Sequence, residues 1–358
     1  MDSLPYPPEL ADVPDLDPSC LRVYAIPMTE RFRGTTLREG VVLVGPRGWG
    51  DFCPFPEYGD DDAAAWLAAA LEAAFLGWPP PARDVVPVNA IVAAVAPQRA
   101  HDLAVASGCR TAKVKVADDA GSLAADADRV AAVRDALGPA GHLRVDANGR
   151  WDVDTAVASL RVLDAAAGGL EYAEQPCATV AELAALRRRT HVPIAADESI
   201  RRSDDPVAVA RARAADVLVI KCTPLGGVRR ALDVAARVGE AAAEVDGGPG
   251  GAPGGTAELP VVVSSALETS IGLAAELALA GALPRLELAC GVGTLALLAG
   301  DVVREPFRLV DGSLRVPTAP PVPDVDALAA TAQRDPGRER WWRDRVTRAH
   351  AALRRRLP

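Results

Sequence analysis

Short apolar runs alternate with alanine-rich stretches from about residue 88 to residue 300. Each run has the length of one buried strand and ends in a polar or small residue, and the stretches between the runs carry apolar residues at helical spacing. The predicted helices lie at 122–137, 151–166, 180–189, 205–214 and 227–241. The eight predicted strands lie at 89–95, 111–116, 143–146, 170–174, 193–197, 217–221, 260–264 and 286–290.

Eight strand–helix units predict an α/β fold, namely a (β/α)8-type barrel. In such a barrel, chemistry gathers where the strands end at the carboxyl face. A doubly wound open sheet is the competing architecture. It lacks support, because no G-x-G-x-x-G motif follows a strand and opens a helix.

The first 85 residues have a different pattern, with antiparallel strands predicted at 23–28, 40–44 and 48–52 and a helix at 61–75. This pattern indicates an N-terminal α+β capping domain. In the 307–316 segment, apolar and polar residues alternate on either side of Asp311-Gly312, a dipeptide typical of hairpin turns. We expect this segment to return to the N-terminal region. The predicted organisation is a leader (1–19), a capping domain (20–87, with return segment 301–320), a barrel catalytic domain (88–300) and a C-terminal helical tail (321–358).

Two segments look peripheral to the barrel. Residues 247–255 are rich in glycine and proline, so we expect a flexible loop between the sixth helix and the seventh strand, on the face opposite the active site. The tail from residue 335 is arginine-rich, with apolar side chains at roughly helical spacing. We expect a terminal helix that lays an apolar stripe on the body of the protein, formed by Trp341, Trp342, Val346, Ala349 and Leu353.

Composition and charge exclude several classes of protein. A net charge of −9 argues against nucleic-acid binding, and no apolar stretch reaches the roughly 18 residues of a membrane span. The acidic, proline-rich amino terminus does not resemble a secretory signal. Six cysteines form no C-x-x-C pair, which is typical of reduced thiols in a cytoplasmic protein. They are Cys20, Cys53, Cys109, Cys177, Cys222 and Cys290.

Lysine is rare and its placement is informative. The 39 lysine and arginine residues include only three lysines, and all three fall at predicted strand ends: Lys113 and Lys115 on the second strand and Lys221 on the sixth. Arginine can replace lysine on a solvated surface. It cannot replace a lysine that transfers protons, because the guanidinium stays protonated whereas a buried amine can lose its charge. The three lysines are therefore candidate catalytic residues.

Three successive strands each end in a carboxylate: Asp146, Glu174 and Asp197. Barrel geometry brings these strand ends to one face, where three carboxylates would repel one another unless a cation neutralised them. Oxygen ligands favour a hard divalent ion, so the sequence predicts a Mg²⁺ site at which Mn²⁺ can substitute.

These segments, in this order and spacing, resemble the enolase superfamily and its muconate cycloisomerase-like subgroup. The matching residues are Lys113-Val-Lys115, Val145-Asp146-Ala147-Asn148, Glu174-Gln175-Pro176, Ala196-Asp197-Glu198-Ser199 and Ile220-Lys221. Within the subgroup the sequence is most similar to the o-succinylbenzoate synthases. That similarity rests on Arg110, on 220–224, on 264–270 and on 48–51, and it covers about residues 20 to 318.

The resemblance implies a role for each site residue. Asp146, Glu174 and Asp197 would hold Mg²⁺ and thereby the carboxylate of a small-molecule substrate. Lys115 would be the base, with Lys113 lowering its pKa, and Lys221 would face the reaction intermediate as a cation. Further contacts would come from Asn148, Glu198, Ser264, Ser265 and Gly291.

The implied reaction is the dehydration of 2-succinyl-6-hydroxy-2,4-cyclohexadiene-1-carboxylate to 2-succinylbenzoate in menaquinone biosynthesis. N-acylamino-acid racemization is the main alternative, because two lysines could each protonate one face of a substrate. Muconate-type cycloisomerization and a catalytically silent binding protein also stay open. A His-Asp dyad is disfavoured, because the four histidines (His101, His142, His191 and His350) fall outside the strand-end positions.

Overall fold

The computed structural model describes residues 5–32, 34–118, 122–202, 205–247 and 259–357. A small α+β layer precedes the barrel in the chain. Its sheet is antiparallel in the order β1-β2-β3, with β1 at Leu21–Phe32, β2 at Thr35–Gly45 and β3 at Gly48–Phe52. Helix α1 (Asp60–Leu71) packs on this sheet and continues into a π turn at Glu72–Leu76. The strands and helix predicted for the first 85 residues are thus confirmed.

The barrel follows strand β4 (Val85–Pro87) and is built on a seven-stranded parallel sheet in sequential order. Its strands are β5 (Asn89–Val92), β6 (Thr111–Lys115), β7 (His142–Asp146), β8 (Tyr172–Glu174), β9 (Ile194–Ala196), β10 (Val217–Ile220) and β11 (Val261–Val263). The helices between and after them are α2 (Pro97–Ser107), α3 (Leu123–Leu137), α4 (Val153–Ala167), α5 (Val180–Arg187), α6 (Glu198–Arg201), α7 (Ala208–Arg211), α8 (Cys222–Leu225), α9 (Val228–Gly247) and α10 (Ser270–Ala282).

The eighth predicted strand, at 286–290, closes the barrel without forming a regular strand. The Asn89 amide donates to the Cys290 carbonyl (2.9 Å), and the Gly291 amide donates to the Val263 carbonyl (2.8 Å). These bonds join the segment to both edges of the seven-stranded sheet, β5 on one side and β11 on the other. The predicted barrel is therefore confirmed, with its last strand reduced to isolated bridges.

The interior of the barrel is layered. An apolar cluster fills its lower part and is formed by Tyr172, Ala195, Val217, Val219 and Val262, with Leu288 packed against it. Because side chains alternate along a strand, the next inward positions towards the carboxyl ends are Glu174, Asp197, Lys221 and Ser264. The floor is thus packed with side chains, and the polar chemistry is confined to one end.

Two predicted elements differ from the structure. The helix predicted at 205–214 is only the single turn α7, because Arg213 adopts a left-handed conformation (φ 49°) that ends the helix. Helix α9 instead runs past its predicted end at 241, as far as Gly247. The glycine-rich insert beyond Gly247, residues 248–255, lies outside the described residues.

The return segment turns at Asp311 and Gly312, both with positive φ (50° and 70°), as the hairpin signal predicts. The strand that follows, β12 (Ser313–Arg315), pairs antiparallel with β4 rather than extending a hairpin of its own. Pairing with β4 carries the chain back to the junction between the capping region and the barrel.

The C-terminal tail forms α11 (Val325–Thr331) and α12 (Pro336–Arg354), and α12 packs on α1. Its predicted apolar stripe is confirmed: Trp342, Val346, Ala349 and Leu353 are buried in the core of the capping region. The first described residues join the same core through three side chains, those of Tyr6, Leu10 and Val13. No helix in the described parts of the chain has the length and apolar character needed to span a membrane.

Candidate active site

The carboxyl ends of five adjacent strands bring the predicted catalytic and metal-binding residues together. Lys113 and Lys115 lie two residues apart on β6 and therefore share a face. Lys115 pairs in register with Asp146 on β7, which pairs in turn with Glu174 on β8. The next two strands complete the group, because one residue follows each of them directly: Asp197 after β9 and Lys221 after β10.

Each carboxylate is ion-paired with a lysine. Lys113 Nζ lies 2.6 and 2.7 Å from the two Glu174 oxygens. Lys115 Nζ lies 2.7 Å from Asp146 Oδ2, and Lys221 Nζ lies 2.6 Å from Asp197 Oδ2. The carboxylate side chains are at most 5% exposed and the lysines at most 12%. Charges removed from water to this extent need such partners to stay ionised.

The carboxylates influence one another's ionisation. Burial raises the pKa of Glu174 to about 7, and the nearby Asp146 and Asp197 charges add to this effect while Lys113 opposes it. Burial acts in the same direction on Asp146 and Asp197. Cationic neighbours nevertheless hold the pKa of Asp146 at about 2 and that of Asp197 well below its usual range. Three carboxylates therefore repel one another in one buried space.

Lys115 differs from the other two lysines. Burial lowers its pKa, and the Lys113 charge lowers it further against the attraction of Asp146. Lys113, buried beside Glu174 and Asp146, has its pKa raised instead. Lys115 also donates a hydrogen bond to the Asn148 amide oxygen, and its Nζ lies 5.3 Å from the centre of the Phe32 ring. A lysine with a lowered pKa is the one suited to accept a proton.

The donor set fits a hard divalent cation. Asp146, Glu174 and Asp197 offer oxygen atoms only, and their repulsion in a buried site is what a dication would relieve. In the structure these oxygens face lysines and an arginine, and no group of three or more His, Cys, Asp or Glu within the described residues is arranged to hold a metal ion. The residues that could hold Mg²⁺ are the three predicted ones.

The other predicted contact residues line or border the same cleft. Ser264 Oγ donates to the Gly291 carbonyl at 3.3 Å, and a Cβ at Gly291 would approach this hydroxyl to 2.6 Å. Ser265 Oγ hydrogen-bonds to Thr294 Oγ1 at 2.5 Å. Across the cleft, Asn148 and Glu198 are joined by a hydrogen bond of 3.2 Å.

Several residues of the site escaped the sequence analysis. The cleft is walled by Phe32 and Phe55 from the capping region and by Ile91 and Leu267 from the barrel. Arg201 is buried against Asp197 and Glu198. Arg201 follows Asp197 by four residues, about one helical turn, and this spacing was the feature of the sequence that could have predicted their contact. Arg110, by contrast, is exposed just before β6 begins, at the end of the strand opposite Lys115.

A buried carboxylate stabilises the backbone after Lys221. Glu276 accepts hydrogen bonds from the Cys222 amide (2.9 Å) and the Thr223 amide (3.3 Å) at the start of α8. Glu268 accepts a hydrogen bond from the Thr223 hydroxyl at 2.6 Å. These hydrogen bonds hold the backbone of Cys222 and Thr223, directly after Lys221, in place.

Comparisons with known proteins agree with this geometry. The family described as Enolase N-terminal domain-like matches residues 23–74, and the family described as Enolase C-terminal domain-like matches residues 95–320. The fold, the matched domains and the site define the chain as a member of the enolase superfamily.

Relatives with known names identify a more specific family within the superfamily. The chain is 53% identical to the o-succinylbenzoate synthase of Thermobifida fusca over 92% of this chain and 96% of the relative. It is 51% identical to the o-succinylbenzoate synthase of Mycolicibacterium smegmatis, over 93% and 96%. The chain thus belongs to the o-succinylbenzoate synthase family, whose members are carbon–oxygen lyases.

Solved structures support the fold. Muconate lactonizing enzyme from Pseudomonas putida superposes with a TM-score of 0.69, at 21% identity, covering 87% of this chain and 98% of that one. The L-Ala-D/L-Glu epimerase from Bacillus subtilis gives the same TM-score at 22% identity, covering 85% and 97%. At these identities the likeness shows the shared barrel and capping architecture alone.

Proposed function

We propose that the chain is a Mg²⁺-dependent o-succinylbenzoate synthase of menaquinone biosynthesis. It removes water from 2-succinyl-6-hydroxy-2,4-cyclohexadiene-1-carboxylate to give 2-succinylbenzoate. The observation that carries the proposal is the complete set of three lysines and three carboxylates at one end of the barrel. The chain has each lysine and carboxylate that the resemblance to the family implies, and its o-succinylbenzoate synthase relatives from Thermobifida fusca and Mycolicibacterium smegmatis share about half of its sequence. The six free thiols support a cytoplasmic location.

Asp146, Glu174 and Asp197 would hold the metal ion, with Mn²⁺ able to replace Mg²⁺. Bound there, the ion would supply positive charge to the substrate carboxylate and stabilise the negative charge that develops when the neighbouring carbon loses its proton.

Lys115 acts as base and then as acid. Its neutral amine takes the proton from the carbon that bears the carboxylate, so a C–H bond breaks and an N–H bond forms. The ammonium then returns a proton to the departing hydroxyl on the same face of the ring, which leaves as water while the ring becomes aromatic. The lowered pKa of Lys115 favours the neutral form that the first step needs.

The other two lysines hold charge. Lys221 stands four strands from Lys115 in an eight-fold barrel and therefore faces the opposite side of the substrate, where a cation can lie against the planar intermediate. Lys113 stays protonated and binds both oxygens of Glu174, which fixes the rotamer of that carboxylate. Ser264, Ser265 and Gly291 would help to position the substrate's second carboxylate.

N-acylamino-acid racemization is a second candidate activity. It is favoured by one observation, the placement of Lys115 and Lys221 on opposite sides of one cleft. Each lysine could exchange a proton with one face of an α-carbon.

Metal removal tests the proposal. Purified enzyme is assayed by the absorbance of the aromatic product, with Mg²⁺, with EDTA, and after Mg²⁺ is restored. We expect reversible loss of activity with EDTA. Asp197→Asn and Glu174→Gln should also inactivate the enzyme, because each removes one negative charge from the cation site while keeping its shape. Circular dichroism checks that the variants fold. Full activity in metal-free buffer would sink the proposal.

A further inference from the structure

Arg201 carries a buried guanidinium that is ion-paired with Asp197 and Glu198, and its side chain is 3% exposed. It lies on α6, one turn after Asp197. Nε donates to Asp197 Oδ1 at 2.9 Å, Nη2 donates to Glu198 Oε1 at 2.5 Å, and Nη1 donates to the Tyr58 hydroxyl at 3.2 Å. A planar fork with three occupied donors fixes two carboxylates relative to each other in a way that a flexible ammonium cannot.

The hydrogen bonds continue from Arg201 to both candidate acid-base residues. On one side, Asp197 presents its second oxygen to Lys221 at 2.6 Å. On the other, Glu198 Oε1 also accepts from the Asn148 amide, and the Asn148 oxygen accepts from Lys115. One continuous network therefore joins the two lysines that face opposite sides of the substrate, and its middle member is Arg201.

Arg201 also reaches the capping region. Tyr58 packs edge-on against Phe55, with ring centres 5.8 Å apart, and at a tilted angle against Trp66, with ring centres 6.3 Å apart. Phe55 itself lines the cleft. Among the described residues, the hydrogen-bond partner of Arg201 outside its own strand–helix unit is the Tyr58 hydroxyl, so this guanidinium connects the capping segment with Asp197.

We infer that Arg201 is a positioning residue: it orients Asp197 and Glu198, and through them the two lysines, and it couples this geometry to the seating of Tyr58. The inference rests on the proposed function for its kinetic part only, because its effect on Asp197 can be measured as metal affinity. By holding Oδ1, Arg201 leaves Oδ2 of Asp197 directed to Lys221.

The test uses Arg201→Lys, which keeps the charge and loses the fork. Isothermal titration with MgCl₂ of chelator-treated enzyme should show affinity weakened about tenfold or more, with kcat falling by a factor of about 10 to 100, as for other residues that orient metal ligands. Arg187→Lys is the matched control, because Arg187 binds Asp216 at 2.8 Å at the opposite end of the barrel. It should leave both quantities unchanged.

Tyr58→Phe supplies a second variant, which tests the coupling and stands in if Arg201→Lys fails to fold. It removes one hydroxyl and should lower kcat several-fold. In the double variant with Arg201→Lys, the Tyr58→Phe change should lower kcat little further, because both changes break the same hydrogen-bonded connection. Wild-type Mg²⁺ affinity and kcat in Arg201→Lys would overturn the inference, as would a Tyr58→Phe enzyme with wild-type kcat.

The two proposals fail differently. A wild-type enzyme that binds Mg²⁺ but does not dehydrate the substrate would refute the proposed function. The role of Arg201 could still be tested by comparing the Mg²⁺ affinities of wild type and Arg201→Lys. A wild-type enzyme that dehydrates, with an Arg201→Lys variant equal to it in Mg²⁺ affinity and in kcat, would refute only the role of Arg201.

Discussion

Lys115 and Lys221 are chemically identical side chains in different surroundings. Lys115 has its pKa lowered by burial and by Lys113, and its partners are Asp146 and Asn148. Lys221 is held by Asp197, whose other oxygen is bound by Arg201. The asymmetry suits a reaction in which one lysine moves protons and the other contributes charge. Racemization requires proton transfer from both.

Replacing Lys221 separates the two reactions. We expect Lys221→Arg to keep part of the dehydration activity, because a cation still faces the intermediate. Racemization of N-succinyl amino acids should vanish, because the guanidinium does not release its proton at working pH. Both reactions are assayed on wild type and variant, with exchange of the α-proton followed by NMR in D₂O. Racemization that survives in Lys221→Arg would contradict the role given to this lysine.

At the scale of elements, one glycine sets how closely β3 and α1 approach. A Cβ at Gly50 would clash with the Ala70 carbonyl oxygen, which is backbone and cannot move aside as a flexible side chain can. The next residue, Asp51, accepts hydrogen bonds from Tyr24 (2.9 Å) and from the Thr269 hydroxyl (2.7 Å). Strand β3 thus joins the capping sheet to the loop before α10, beside the catalytic cleft.

Gly50→Ala should therefore destabilise the protein by about 1–3 kcal/mol, the usual cost of overpacking a buried contact. Gly239→Ala is the matched control, since Gly239 lies inside α9 with nothing within 4 Å of an added Cβ. This change should be neutral or stabilising by up to about 1 kcal/mol. Urea unfolding measures both. Equal stability of the two variants would show that β3 and α1 are not in tight contact.

The sequence predicted those helices and strands whose formation depends on residues close together in the chain. The strand ends of β6 to β10 and the barrel helices α3, α4, α5 and α9 were predictable from the sequence, because each strand is a short apolar run and each of these helices is an alanine-rich segment with helical spacing. Helix α7 was not, since its end depends on the left-handed backbone of Arg213. The partner of β12 could not be read from the sequence either, because pairing with β4 joins residues more than 200 positions apart.

The active site likewise has residues that the sequence could predict and residues that it could not. Residues at strand ends were predictable because barrel geometry brings them together whatever the loops do. Phe32, Phe55 and Tyr58 were missed, because their approach to the cleft depends on how the capping region docks onto the barrel. No spacing in the sequence reports that docking.

At the scale of the whole molecule, the C-terminal helix is connected to the catalytic face. Trp342 on α12 is fully buried in the capping core. On the same helix, Arg345 donates hydrogen bonds to the carbonyls of Phe55 (2.9 Å) and Tyr58 (2.7 Å). Helix α12 therefore holds the segment that contacts Arg201. We propose that the helical tail is a structural part of the capping domain.

Trp342→Ala should destabilise the protein by about 3–5 kcal/mol, the range for removing a buried tryptophan. Trp341→Ala, the adjacent and partly exposed residue, should cost clearly less. Thermal unfolding followed by circular dichroism compares them. Because α12 holds the Tyr58 segment, the Trp342 variant should also lose dehydration activity at temperatures where it is still folded. A variant with wild-type stability would show that α12 is dispensable.

In the proposed reaction one lysine, Lys115, performs the acid-base chemistry of the dehydration. The most direct test is kcat/KM for dehydration of 2-succinyl-6-hydroxy-2,4-cyclohexadiene-1-carboxylate by wild type and by Lys115→Ala, each with saturating Mg²⁺. The proposed role of Lys115 predicts efficient dehydration by the wild type and a loss of about 10⁴-fold or more in the variant, the upper range for removing a general acid-base group. Wild-type dehydration by Lys115→Ala would contradict it, as would a wild-type enzyme that racemizes N-succinyl amino acids efficiently and dehydrates nothing.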